Sequence, residues 1–173
     1  MTVAMVDVLT PAQRQLNMSR IRGKDTKPEL ALRRGLHALG FRFRLHRKDL
    51  PGRPDLVFPS RRAVIFVHGC FWHGHGCPMC KMPATRPEFW RAKIDGNHER
   101  DLKAVRALTA AGWRVLMVWE CALRGPARLP EGAAVARCAE FVRSDARVPD
   151  AVAGNWPDLH RNGRTRAILP DHT

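Results

Sequence analysis

54-PDLVFPSRRAVIFVH-68 reads as two short strands, PDLVF (54–58) and AVIFVH (63–68), joined by the tight polar turn PSRR, which is a hairpin signal. AVIFVH is apolar at successive positions, so both of its faces need cover and it belongs in the middle of a sheet. WRVLMVWE (113–120) has the same character. A helical stretch separates it from the hairpin, and a strand reached through a helix implies a crossover to a parallel neighbour.

Upstream, Thr26-Lys27-Pro28-Glu29 is a capping box with proline in its first turn, and Gly40 is a stop, which predicts a helix over about 27–39. Leu30, Leu32, Leu36 and Leu39 supply much of its buried face. FRFRL (41–45) alternates apolar and basic residues, as a half-exposed strand does. Thr85-Arg86-Pro87-Glu88 is a second capping box, opening a helix to about residue 111 that Gly96 can bend and Gly112 ends. From 126, PARLPEGAAVARCAEFVR predicts one more helix, then a tail rich in proline, glycine and arginine. The class is α/β, a mixed sheet with helices packed on it. One domain suits 173 residues. The expected division is a basic arm (1–24), a core (25–125) and a C-terminal helix and tail (126–173).

Lysine and arginine number 30 against 16 acids, a formal charge of +14 with a pI near 11.1. Residues 14 to 48 hold eleven basic residues and two acids, Asp25 and Glu29. Such an excess suits a polyphosphate partner, whose condensed counterions are released on binding. The apolar runs AVIFV and VLMVW fall far short of the roughly 20 residues that span a bilayer. No charged region leads into a long apolar run at the N-terminus, so no signal peptide is expected and a reducing, cytoplasmic setting is. No heptads or exposed apolar helix announce a dimer, and a monomer is expected.

Five cysteines are present, three of them within 70–80 beside histidines, in 68-HGCFWHGHGCPMC-80. In a chain without an export signal this pattern favours metal ligation over disulfides. Cys70, His75 and Cys77 can share one zinc ion, and Cys121 can close a tetrahedron if WRVLMVWE neighbours AVIFVH. Cys80 is the rival ligand, through the Cys77–Cys80 CxxC. Asp55, at the start of a buried strand beside the histidines, suits a divalent ion and a phosphate; a turn aspartate is the alternative. Phe71, Trp72 and Trp90 are either core or outward aromatics that insert between bases.

PGRPD, FVHGCFWHGHGC, TRPEFW, NHERD and GWRVLMVWEC stand together in one order, and the combination resembles the very short patch repair (Vsr-type) mismatch endonucleases from about Asn17 to Arg124. The resemblance implies a restriction-endonuclease-like fold and a nick on the 5′ side of the thymine in a T·G mismatch, the product of 5-methylcytosine deamination. It implies magnesium held by Asp55 and the Val67 carbonyl, His73 as general base or acid, His68 as a phosphate-side helper and Glu29 in support. It also implies structural zinc on Cys70, His75, Cys77 and Cys121, and a wedge of Phe71, Trp72 and Trp90. The partners implied are mismatched double-stranded DNA and mismatch-repair proteins, in a bacterial, nucleoid-associated setting. Arg20, Arg22 and Lys24, in the basic leader, fit an arm that wraps the duplex. AVIFVH lacks the acid and lysine that most restriction-like nucleases carry there, an absence that this narrower family shares.

Overall fold

Thr26 caps the first helix, α1 (Lys27–Ala38): its hydroxyl accepts from the Glu29 amide while the Glu29 carboxylate accepts from the Thr26 amide at 3.3 Å, the reciprocal box expected. The computed structural model describes residues 23–145 and 150–155, with Thr10, Ala12, Gln13 and Leu16 of the leader. Arg20 and Arg22 lie outside the described residues. Gly40 follows α1 at φ +86, a left-handed geometry that glycine adopts without a Cβ penalty.

The hairpin forms as expected. β2 (Leu56–Phe58) pairs antiparallel with β3 (Ala63–His68), Leu56 opposite Ile65, across a 3-10 turn at Pro59–Arg61. A 24-residue helix, α2 (Pro87–Ala110), runs unbroken through Gly96 and crosses to β4 (Arg114–Trp119), which lies parallel to β3 with His68 opposite Trp119. The short α3 (Glu120–Leu123) follows, then α4 (Ala133–Arg143).

Four details differ from expectation. Leu39 is not on the buried face of α1: it is the C-cap residue, past the last turn, and is 50 % exposed. Only Arg44–Leu45 of FRFRL forms a strand, β1, because Phe41 and Phe43 turn onto Phe58, edge-to-face at 6.1 and 5.6 Å. The second capping box is absent: α2 starts after Arg86, at φ 55 and without a side-chain cap, in an exposed turn whose amides water can serve. The tail contributes a fifth strand, β5 (Asp150–Val152), parallel to β4. The sheet order is β1-β2-β3-β4-β5.

Alternation along the central strands divides the core into two layers. Leu56, Phe58, Ile65, Leu116 and Val118 face α1 and α4, meeting Leu32, Leu36, Cys138 and Phe141. Val57, Val64, Phe66, Val115 and Met117 face the other way, meeting Val105 and Leu108 of α2 and the cysteines of the following loop. Helices on both faces are why β3 and β4 carry no polar face. At Gly35 a Cβ would come within 2.5 Å of a Val135 methyl, so α1 and α4 touch backbone to side chain. Deleting a fully buried leucine here, Leu36→Ala for instance, costs about 2–5 kcal/mol.

Candidate active site and metal centre

The hairpin register sets Asp55 beside the exit of β3. Because Leu56 faces Ile65, Asp55 continues that register toward Phe66, and its side chain reaches one residue further to Val67, whose amide donates to Asp55 Oδ2 at 2.7 Å. Burial pushes the Asp55 carboxyl up from 3.8 to about 6, against the Val67 amide that favours the ionised form. His68 has the parity of Val64 and Phe66, so it ends β3 on the α2 side. There its ring stacks on that of His73 at 3.8 Å between centroids, 13° from parallel.

Asp101, in the middle of α2, joins the two rings: its Oδ2 is 2.6 Å from His73 Nδ1 and 3.8 Å from His68 Nδ1. Burial first, then the neighbouring His73, holds His68 well below the ordinary imidazole range, so its ring is neutral. Asp55, Val67, His68, His73 and Asp101 line one cleft of about 540 Å³, with Lys24, Lys48 and Arg53 around it. A second cleft of about 510 Å³ shares Val67, His68 and His73 and continues along Trp72, Lys93 and Asn97. The pair offers an anionic chain a groove with cations along it and a carboxylate at its centre.

Glu29 stands apart from these walls. It is buried at 2 % exposure, serves the α1 cap and pairs with Arg33, and reaches the cleft only through His46, whose Nε2 is 3.1 Å from Glu29 Oε1. Burial first, then the adjacent Arg33, lowers the His46 pKa. Asp101 and His46 carry site geometry that sequence reasoning missed. An acid in the middle of an amphipathic helix has no local signal, although Asp101 closes the NHERD stretch.

Phe71, Trp72 and Trp90 meet edge-to-face, with centroids 5.1–5.9 Å apart, and extend to Phe89, which is 47 % exposed. All three are half-buried and belong to neither core layer. Asn97 donates to the Trp72 carbonyl at 2.7 Å and pins this cluster to α2.

Cys70, His75, Cys77 and Cys121 are all buried, with one ligand atom from each within 4.8 Å of all the others. A tetrahedral zinc site with sulfur bonds near 2.3 Å has edges of about 3.8 Å, so the set suits that ion. The parallel pairing of β3 with β4 is what brings Cys121 to the loop. Two amides point at its sulfurs: Cys121 N–H at Cys70 Sγ, 3.4 Å, and Gly154 N–H at Cys121 Sγ, 3.3 Å. The Cys70 thiol donates to the Cys121 sulfur and, with His75, holds Cys121 below the ordinary thiol range, while the same contact and burial push Cys70 up. Cys80 stays outside the four. Its thiol donates to the Cys70 carbonyl at 2.9 Å, and burial pushes it up to about 12.

A profile of the family described as "DNA mismatch endonuclease Vsr" matches residues 6–79. The DNA mismatch endonuclease Vsr of Escherichia coli K12 is 49% identical over 138 residues, 80% of this chain and 88% of that protein. The chain belongs to the Vsr family of DNA mismatch endonucleases. Two type II nicking enzymes are also similar: V.XorIIP of Xanthomonas oryzae, 56% identical over 119 residues (69% of this chain, 88% of that one), and V.NmeAIP of Neisseria meningitidis, 42% over 123 (71% and 88%). A Vsr-family endonuclease hydrolyses DNA, which suits the charge of +14 and the basic cleft. Among the described residues no helix is long and apolar enough to cross a membrane.

Proposed function

We propose that this Vsr-family endonuclease nicks one strand on the 5′ side of the thymine in a T·G mismatch and so starts very short patch repair. The observation that carries the reading is the convergence of Asp55, Val67 and the His68–His73–Asp101 group in one basic cleft, beside a half-buried aromatic cluster. Asp55 and the Val67 carbonyl would hold magnesium, and their hard oxygen donors suit it as the buried thiolates suit zinc. When bound, magnesium supplies a Lewis acid for the scissile phosphate.

The remaining chemistry belongs to side chains. Asp101 holds His73 in the Nδ1–H form, a tautomer assigned from the 2.6 Å contact, and leaves Nε2 to take a proton from the attacking water. His68, neutral beneath the His73 ring, backs it on the phosphate side. Lys24, Lys48 and Arg53 receive the backbone, with Arg20 and Arg22 on the arm of residues 1–24. Phe71, Trp72 and Trp90 serve as the wedge, because a wobble pair costs less to unstack than a matched one.

In this reading the five-stranded mixed sheet is a restriction-endonuclease-like core within 25–125, zinc is structural, and residues 126–173 are a candidate contact for mismatch-repair proteins. The protein acts as a monomer in the bacterial cytoplasm. The test is a labelled duplex with one T·G, CTAGG paired with CCTGG, incubated with magnesium, wild-type protein or Asp55→Ala. A nick 5′ to the mismatched thymine that needs both magnesium and Asp55 is expected. Equal cutting of the matched duplex, or full activity of Asp55→Ala, would overturn the reading.

A further inference from the structure

Asp25, Glu29 and His46 bring two carboxylate oxygens and a ring nitrogen within 4.8 Å of one another, an arrangement that suits a cation. The cation is already part of the chain. Arg33 Nη1 donates to Asp25 Oδ1 at 2.6 Å, and Arg33 Nη2 pairs with Glu29 and lies 2.8 Å from His46 Nε2. His46 Nε2 also lies 3.1 Å from Glu29 Oε1, which would favour a proton there, but the guanidinium is nearer and has donors and no acceptor, so Nε2 is assigned as the acceptor and the ring proton to Nδ1. Nδ1 faces Asp55, 3.6 Å from Oδ1, on the opposite side of the carboxylate from the oxygen that the Val67 amide holds. His46 keeps this pose at φ +45, a left-handed geometry that its surroundings must enforce.

We infer that His46 is a positioning residue for Asp55: Arg33 fixes its Nδ1–H tautomer, and that N–H orients the Asp55 oxygen that receives the divalent ion. Glu29 then acts at one remove, by holding Arg33, and touches neither metal nor DNA. The inference rests on the proposed role of Asp55 as a metal ligand. The contact of 3.6 Å is slightly longer than a hydrogen bond, and the inference requires it to shorten when the carboxylate turns toward an ion.

Mn2+ serves as the probe, with its free fraction read by electron paramagnetic resonance against the full-length, zinc-loaded protein. His46→Leu keeps the volume and removes the donor, and should weaken Mn2+ binding on the order of 10-fold, as loss of a ligand-orienting hydrogen bond does. His46→Gln, which restores an N–H, should bind within about 3-fold of wild type. Arg33→Met, which frees the ring, should weaken binding in the same direction as the leucine variant. In nicking assays His46→Leu should need more magnesium for half-maximal rate yet recover kcat at saturation, with DNA affinity unchanged. Wild-type Mn2+ affinity in His46→Leu, equal losses in the leucine and glutamine variants, or a kcat loss that magnesium does not recover would overturn the inference. Asp55→Ala separates the two levels: if it binds Mn2+ like wild type, the metal-ligand reading itself fails, whatever His46 does.

Discussion

Burial raises Asp55 to about 6 from 3.8, and the direction of that shift sets a stability cost as well as a chemical readiness. Above pH 6 the carboxylate is ionised in both folded and unfolded chains, and the folded one bears the desolvation. As pH falls from 6 toward 4 the folded protein takes up the proton first, and the cost disappears. A shift of this size corresponds to about 3 kcal/mol at most, reduced because the side chain keeps 17 % exposure. Asp55→Asn, which can still accept from the Val67 amide, should therefore stabilise the protein by about 1–3 kcal/mol at pH 8 without added magnesium. The gain should fade below pH 6 and vanish near pH 4, while nicking is lost. Denaturant unfolding of both proteins across that range checks it, and a destabilised variant at pH 8 would mean the carboxylate is better paired than its burial implies. The position of Asp55 at the cleft and the grouping of Cys70, His75, Cys77 and Cys121 were legible because these residue types are chemically unusual where they stand. Asp101 was not, since only the phase of α2 turns it toward His73, 28 positions earlier.

The elements tell a similar story. β3 and β4 could be read as central and parallel from their unbroken apolar character and the helix between them. β5 could not: three residues long, with only Val152 buried, it has no periodicity, and it forms because the β4 edge is open to it. The strand pairing that sequence could foresee is also what gathers the four, because it delivers Cys121 to Cys70, while Cys80 lies outside the group. Cys121→Ser should strip zinc and lower Tm on the order of 10 °C, from loss of the ion's contribution to folding. Cys80→Ser, whose hydroxyl can keep the bond to the Cys70 carbonyl, should retain one zinc per chain and change Tm by about 2 °C or less. Metal analysis and calorimetry on both variants distinguish them; zinc loss in Cys80→Ser would move the fourth ligand.

Across the whole molecule, the excess of positive charge has its effect through the groove. Lys24, Lys48, Arg53 and Lys93 line the two clefts, so DNA affinity should fall linearly with the logarithm of salt concentration. Removing one phosphate-contacting cation, in Lys48→Ala, should flatten that slope by about 1 and weaken matched and mismatched duplexes alike. Fluorescence anisotropy at several salt concentrations measures both effects, and an unchanged slope would place the backbone elsewhere. Beyond residue 125, α4 completes the layer over α1, and Gly154 sends its amide to the Cys121 sulfur. A Cβ at 154 would fall 2.6 Å from the Ala127 carbonyl oxygen, so no other residue fits that close approach.

That last support is also the last to be synthesised. Cys70, His75 and Cys77 leave the ribosome first, Cys121 later, and Gly154 follows after 33 more residues, a few seconds at about 5–20 residues per second. Through that interval the thiols have no finished enclosure, and the open edge of β4 awaits its strand. A chain broken off before β5 keeps Asp55, both histidines and Asp101, yet lacks the backing that holds their loop in register. Such a fragment would carry the residues of the cleft without the amide that Gly154 gives the Cys121 sulfur.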